Sequence, residues 1–359
     1  MKNIAHSKNF NLSLLHITYI LLFVVVLLGL LLRTVGLSTG NMLFLYDNGH
    51  DLLFVKKLAV DHKPLLVGSV SSSIEGYFHG VFWFYMLAIP FILGKGNPVT
   101  FTLFMAICST LSIVLTFFIL KKTANVYAGL LGAIIFSFAG FSIATTKFIW
   151  NPYPIVWIMP LYFLALYLFS RQKPIGLPLV TFLTALIIHF EAIYGVCLLP
   201  TQAVVTVLWF IQKKPLKDKL KQGSLSLFLF ILPLIPSMIF DLRHHFLITS
   251  SLWRAFSSGG NSISHGNIAP IPISQRIILR GMDLFKYSID SLTPWTVINL
   301  LLTLTAGFGV YKLRNKQNNL LFILSFIVVV SPFFIFLLMK YYVWEHYWTG
   351  NAPFFAIVV

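Results

Sequence analysis

The chain has 359 residues, of which 58% are hydrophobic, 16% aromatic and 10% charged. A soluble domain carries roughly 25% charged residues because its surface faces water, so this composition excludes a soluble globular protein. The formal net charge of +16 comes from 26 Lys and Arg against 10 Asp and Glu. In a membrane protein such an excess is typical of basic cytoplasmic loops, and it gives no reason to expect a nucleic-acid partner.

Long apolar runs recur along the chain, and each is near the ~20 residues that an α-helix needs to cross the hydrocarbon core of a bilayer. They predict an all-α polytopic membrane protein, with a single transmembrane domain over residues 1–359. The predicted full spans are 12–32, 100–120, 127–146, 153–170, 175–194, 196–212, 224–240, 291–311 and 319–339. A tenth span begins near Ala352 and is expected to be truncated, because the sequence ends at Val359.

The first long interval between predicted spans, residues 33–96, contains an apolar stretch, Phe82–Leu93, that is short for a crossing. If this stretch lies along the outer surface, every basic cluster falls in the cytoplasm, as the positive-inside rule expects. Its aromatic residues and Pro90 suit an interfacial helix. We therefore predict a multi-pass protein of the cell membrane with a cytoplasmic N-terminus and an outer first loop over residues 33–96.

This topology sorts the acidic residues by side. Glu191 lies within a predicted span, and Asp218 lies in a basic cytoplasmic tract. The other eight acids fall outside the membrane: Asp47, Asp51, Asp61, Glu75, Asp241, Asp283, Asp290 and Glu345. Groups able to act as bases or to bind cations therefore gather on the outer face, where we expect any chemistry to occur.

The first outer loop contains the densest set of polar groups, beginning with Tyr46 and Asp47. If this part is helical, Asp47 and Asp51 stand one turn apart on the same face. Two close carboxylates beside His50 could serve as a general base, a metal site or a clamp for sugar hydroxyls. The alternative is an ordinary hydrophilic loop in which Asp47 is only a helix N-cap.

Four features in fixed order resemble a known class of membrane enzyme. Tyr46-Asp47 is followed by a short amphipathic helix, a Gly/Ser stretch and an aromatic segment; the further matches are 147–152, 240–245 and 345–348. The chain resembles glycosyltransferases of the GT-C fold that use lipid-linked sugars, specifically the family 39-like protein mannosyltransferases and aminoarabinose transferases. The resemblance implies a GT-C-like transmembrane helical bundle whose outer first loop carries short interfacial helices.

The resemblance also implies a reaction. A sugar would pass from a polyprenyl-phosphate donor to an unknown glycan, lipid or protein acceptor on the outer face, with membrane lipids around the enzyme. By position, Asp47 would be the general base that takes the proton of the acceptor hydroxyl. The leaving phosphate needs cationic stabilisation, for which Arg243, His244 and Lys147 are the candidates. The alternative for Arg243 is an interfacial side chain that only snorkels.

Two positions depart from the family's pattern. Many members have an acid where this chain has Asn48, and relatives often carry a second acid where this chain has Asn151. Asp51 is then the candidate second catalytic carboxylate. We expect no cofactor, with a divalent metal as the alternative.

The residues expected to line a substrate cavity are Tyr46, His50, His79, Asn151 and His189. His189 and Glu191 interrupt an apolar run, where ionisable groups usually face a cavity or a partner. Two residues apart on a helix point about 200° apart, so they cannot both line one site. We expect His189 to face the cavity, with a satisfied interhelical hydrogen bond as the alternative, and Glu191 to snorkel outward.

A second outer loop is predicted over residues 241–290, with a Ser/Gly-rich centre at 257–262 that forms either a lid over the site or a connector. Two other functions stay open. A transporter or flippase of lipid-linked sugars would explain the many helices, but it predicts internal repeats and midplane polar groups, which are scarce here. A non-catalytic subunit of a glycan assembly complex would explain Asn48 and Asn151.

Overall fold

The computed structural model describes residues 2–37, 40, 43–71, 74–257, 270–312, 316–340 and 342–358. The helices, in chain order, are α1 (Lys2–Thr34), α2 (Tyr46–Ala59), α3 (Phe82–Leu93), α4 (Pro98–Thr123), α5 (Val126–Phe138), α6 (Gly140–Ala144), α7 (Pro154–Ser170), α8 (Gly176–Phe190), α9 (Ala192–Cys197), α10 (Leu199–Ile211), α11 (Leu216–Arg243), α12 (Leu247–Ser257), α13 (Ile273–Ser288), α14 (Thr296–Lys312), α15 (Lys316–Leu338) and α16 (Asn351–Val358). A 3₁₀ turn at Glu345–Trp348 precedes the last of them.

Helices dominate the described part of the chain, in which the β-structure is an isolated antiparallel bridge between Val70 and Phe78. Helices long and apolar enough to cross a membrane are His16–Thr34, Pro98–Thr123, Ala192–Ile211, Leu216–Arg243 and Asn318–Leu338. Shorter apolar helices are Phe82–Leu93, Val126–Phe138, Pro154–Ser170, Gly176–Phe190 and Thr296–Gly309. This architecture confirms an all-α polytopic membrane protein, while the number of nine spans stays a prediction.

Helix α3 has 12 residues and is therefore about 18 Å long at 1.5 Å per residue. A hydrocarbon core of about 30 Å is too thick for such a helix to cross. Its buried face, with Trp83, Phe84 and Leu87, packs mainly against α2. Both its length and its packing favour the interfacial position predicted for this segment.

Two predicted spans are interrupted. The run 127–146 is helical only to Phe138, because the extended backbone of Ala139 (φ −64°, ψ 136°) separates α5 from the short α6. The boundary predicted between 194 and 196 lies instead at Glu191, whose extended backbone (φ −144°, ψ 99°) ends α8 and begins α9. In both cases a polar side chain accounts for the interruption, because it bonds backbone groups that a continuous helix would pair internally.

At the first interruption the polar side chain is Arg33, which comes from α1 and is fully buried. Its five N–H donors are all used. The acceptors are Ser109 Oγ (2.9 Å), Gly29 O (2.9 Å), Ser137 O (3.0 Å), Phe136 O (2.7 Å) and Ser142 Oγ (2.6 Å). The guanidinium thereby joins α1, α4 and the α5–α6 break in the interior of the bundle.

Candidate active site

A cavity of about 420 Å³ lies where several connections between helices converge. Its walls are the first turns of α2, the loop segments 69–71 and 74–79, the α6–α7 connection at Trp150 and Asn151, and the α8–α9 break. Leu252 of α12 and the 3₁₀ turn at His346 and Tyr347 complete it. Chain segments more than 250 residues apart therefore meet here, and they bring carboxylates, histidines and aromatic rings together.

Asp47 lies in the first turn of α2 and lines the cavity with an exposed side chain. The partial positive charge of the helix N-terminus favours a carboxylate at this position. Tyr46 and His50 line the same wall, and their rings are 6.2 Å apart. The predicted grouping of these three residues is therefore present, with Asp47 accessible to a bound substrate.

Asp51 also borders the cavity, but its carboxylate is buried and occupied. Ser69 Oγ donates a 2.6 Å hydrogen bond to Oδ1, and Trp83 Nε1 donates a 2.8 Å hydrogen bond to Oδ2. Burial raises the pKa of this carboxyl above its ordinary value, and the two hydrogen bonds partly offset that effect. Asp51 thus ties α2 to the loop and to α3, which suits a positioning residue better than the predicted second catalytic carboxylate.

Both asparagines that depart from the family's pattern hold connections in place through their amide N–H groups. Asn48 Nδ2 donates to the Ile149 carbonyl at 2.5 Å, while Asn48 Oδ1 accepts from the Leu45 N–H at 2.7 Å. Asn151, which lines the cavity as expected, donates from Nδ2 to the Phe190 carbonyl at 2.7 Å. An ionised carboxylate has no donor and could not make either bond to a carbonyl.

Replacing Asn48 by Asp is therefore expected to lower the free energy of unfolding by about 1–3 kcal/mol, since the buried Ile149 carbonyl loses its donor. Thermal unfolding in detergent measures this. The matched control is Asn97→Asp: Asn97 is the N-cap of α4 and its Oδ1 only accepts from the Val99 N–H, so a carboxylate serves equally well. Equal stability of the two variants would contradict the assigned role of the Asn48 amide.

His79 and His346 line the cavity from opposite ends of the sequence. Burial lowers the pKa of each imidazole to about 4, and proximity to His79 contributes to the effect at His346. The His346 ring is 4.6 Å from the Trp150 ring between centroids, and His79 Nδ1 is buried without a hydrogen-bond partner in the described structure. At neutral pH both rings are uncharged, so each presents one N–H donor and one acceptor.

The two depressed pKa values predict a pH dependence of stability. Between about pH 6.5, the ordinary value for histidine, and about pH 4, the unfolded chain binds protons that the folded protein excludes. The free energy of unfolding should therefore fall as the pH is lowered through this window. The double variant His79→Gln/His346→Gln should show a shallower fall in melting temperature between pH 6.5 and 4. If the melting temperatures of the wild type and the double variant fell by equal amounts between pH 6.5 and 4, the prediction would be contradicted.

At the α8–α9 break, His189 makes the interhelical hydrogen bond that was its alternative role, and Glu191 faces the cavity in its place. His189 lies outside the cavity lining: it is buried, and its Nε2 accepts a 2.9 Å hydrogen bond from the Phe82 N–H. Gly80 contacts the same ring so closely that a Cβ there would stand 2.1 Å from it. Glu191 is 2% exposed and lines the cavity, so it does not snorkel outward. Only one of the two residues lines the cavity, as their separation of about 200° requires, but it is Glu191, where the backbone leaves the helix.

The residues expected to bind the donor phosphate lie outside the cavity lining. Lys147 Nζ donates to the carbonyls of Arg33 (3.0 Å) and Val35 (2.8 Å), just after α1. Arg243 and His244 are exposed at the end of α11, where the His244 ring stacks on Phe240 with centroids 3.9 Å apart. The Phe240 ring in turn contacts Phe78 at 5.2 Å. The end of α11 is therefore next to the loop that forms one wall of the cavity.

The second outer loop contains helices that its sequence did not predict. Asp241, at the end of α11, accepts hydrogen bonds from the Ile248 N–H (2.6 Å) and the Thr249 hydroxyl (2.5 Å), which anchor α12. Helix α13 follows at Ile273–Ser288. Most of the predicted lid centre at 257–262 lies outside the described residues. Among the residues that the structure describes, no group of three or more His, Cys, Asp or Glu side chains is arranged to hold a metal ion.

Comparison with known proteins yields no match among protein-family models and none among curated proteins. Among solved structures, the crystal structure of the Archaeoglobus fulgidus oligosaccharyltransferase in complex with Zn and sulfate is similar, with a TM-score of 0.46 and 9% identity over 92% of this chain and 48% of that chain. The archaeal oligosaccharyltransferase AglB from Archaeoglobus fulgidus, in complex with an inhibitory peptide and a dolichol-phosphate, has a TM-score of 0.47 and 10% identity over 95% of this chain and 50% of that chain.

The chain thus spans about half the length of each of these solved structures. At this level of similarity, any functional assignment depends on the chain's own side chains. Its fold and its site define an all-α polytopic membrane protein with a cavity lined by carboxylates, histidines and aromatic rings.

Proposed function

We propose that this protein is an integral membrane glycosyltransferase that moves a sugar from a polyprenyl-phosphate donor to an acceptor hydroxyl, with Asp47 as the general base. The observation that carries the proposal is the accessible Asp47 carboxylate in a 420 Å³ cavity with further polar and aromatic side chains. Apolar helices adjoin the cavity, so a lipid-linked donor could present its head group there. The order of loop motifs that resembles family 39-like enzymes supports the same reaction.

The reaction needs one proton acceptor and one stabilised leaving group. The acceptor hydroxyl oxygen forms a new bond to the anomeric carbon and loses its proton to the Asp47 carboxylate. The bond from that carbon to the phosphate oxygen breaks, and its electron pair stays on the lipid phosphate. Because attack and departure occur on opposite sides of the carbon, the configuration at the anomeric centre inverts.

The sugar and the phosphate would occupy different places. The described residues that line the cavity include no Lys or Arg, so we assign the sugar and the acceptor hydroxyl to the cavity. The phosphate would lie outside it, near Arg243 and His244 at the end of α11, where Phe240 contacts Phe78 of the loop and carries the stacked His244 ring. Positive charge there would stabilise the departing phosphate. With a cytoplasmic N-terminus, the site would face the outside of the cell membrane.

An in vitro transfer assay tests this function. Purified protein in lipid nanodiscs is incubated with a panel of polyprenyl-phosphate hexoses and pentoses, and release of polyprenyl phosphate is measured with and without added acceptors. We expect release with at least one donor. Binding of donors without any release would favour the non-catalytic subunit, and movement of intact donor across vesicle membranes would favour the flippase.

A further inference from the structure

The α8–α9 break brings a third carboxyl to the cavity, after those of Asp47 and Asp51. Glu191 is buried to 2% exposure, and Oε1 accepts a 3.3 Å hydrogen bond from the Ile193 N–H as the N-cap of α9. No Lys, Arg or His among the described residues forms an ion pair with it. Fully buried carboxyls are rarely left without a charged partner, so this one calls for a role beyond capping a six-residue helix.

The surroundings of Glu191 differ from those of Asp47. On its own wall, the neighbouring lining residues are the apolar Ile188, Ala192 and Val196. Tyr77 of the first loop also lines the cavity; burial, and secondarily the nearby Glu191 carboxyl, raise the pKa of its phenol. A single carboxyl in an apolar wall, with a phenol close by, suits a sugar ring, which has hydroxyls at its edge and C–H groups on its face.

We propose that Glu191 is a substrate-binding residue that accepts hydrogen bonds from hydroxyls of the donor sugar and so makes the cavity select sugar-bearing polyprenyl phosphate over the bare lipid phosphate. The inference rests on the proposed function for the identity of the ligand.

Binding in the absence of turnover tests the role. Native mass spectrometry of the nanodisc protein measures affinity for an undecaprenyl-phosphate hexose and for undecaprenyl phosphate alone. Glu191→Gln keeps an oxygen that can cap the Ile193 N–H, so the fold should persist. It should lose about two- to tenfold of the preference for the sugar-bearing lipid, the scale of one hydrogen bond between uncharged groups. Glu345→Gln makes the same substitution at an exposed site and should leave the preference unchanged.

The outcomes separate this inference from the proposed function. An unchanged preference in Glu191→Gln, or a wild-type protein with no preference for the sugar-bearing lipid, overturns the role of Glu191. Because the preference is a ratio within one variant, partial loss of folded protein does not mimic the effect. In the transfer assay, Glu191→Gln should raise KM for the donor more than it lowers kcat. Asp47→Asn should retain the binding preference, so loss of turnover in that variant concerns the proposed base alone.

Discussion

Replacing Asp47 by Asn is expected to lower kcat for sugar transfer by about 10²- to 10⁴-fold, the usual contribution of a positioned proton acceptor. The amide keeps the shape of the side chain but cannot accept the proton of the acceptor hydroxyl. Asp47 is exposed in the first turn of α2, so its replacement leaves the buried contacts of that helix unchanged. Initial rates in the nanodisc transfer assay measure the effect.

The matched control is Asp61→Asn. Asp61 is an exposed acid just after α2 in the same loop, but it does not line the cavity. Its variant should transfer sugar at the wild-type rate and melt at the wild-type temperature. Full activity of Asp47→Asn would remove Asp47 from the role of base and leave the mechanism without its proton acceptor.

Replacing Arg33 by Met is expected to destabilise the protein by about 3–5 kcal/mol, a range typical of removing one partner from a buried charged network. The methionine fills much of the volume but donates no hydrogen bond. The hydroxyl and carbonyl acceptors from α4 and the α5–α6 break then lose their donor in the bundle interior. Thermal unfolding in detergent, followed by circular dichroism, should show a large drop in the melting temperature.

Two variants sharpen this test. Arg33→Lys keeps the charge but has three donors where arginine has five, so its stability should fall between those of the wild type and Arg33→Met. Lys122→Met removes an exposed cation from the end of α4 and should change stability by less than about 0.5 kcal/mol. If Arg33→Met unfolded at the wild-type temperature, the buried guanidinium would have no part in holding the α5–α6 break.

Much of the fold can be predicted from the lengths of the apolar runs and from the helical spacing of polar residues in the sequence. Apolar runs near 20 residues predict the membrane class, and the spacing of Asp47, His50 and Asp51 predicts that they share a helical face beside a cavity. The helix breaks at Ala139 and Glu191 are not predictable in this way. Their cause is a side chain that bonds backbone groups: in one case an arginine distant in the sequence, in the other a glutamate that caps the next helix.

The same limit applies to His189 and Glu191. A period of 3.6 residues assigns them to opposite faces, but it does not say which of the two faces meets the cavity. His346 was missed as a cavity residue for a different reason: it lies more than 250 residues from Asp47, and only the folded bundle brings them together. Local sequence patterns predict single helices, whereas a cavity lined by six separate parts of the chain depends on how those parts pack together.

The amides of Asn48 and Asn151 also provide a rule for comparing and engineering related chains. Restoring an acid at either position, as a designer guided by the family's pattern would do, exchanges a donor for an acceptor against a carbonyl. A natural homologue with an acid at the Asn151 position must therefore supply another donor for the carbonyl equivalent to that of Phe190, or hold its helix break differently. Covariation of that acid with a new lysine, arginine or amide nearby would identify homologues in which a different side chain donates to this carbonyl.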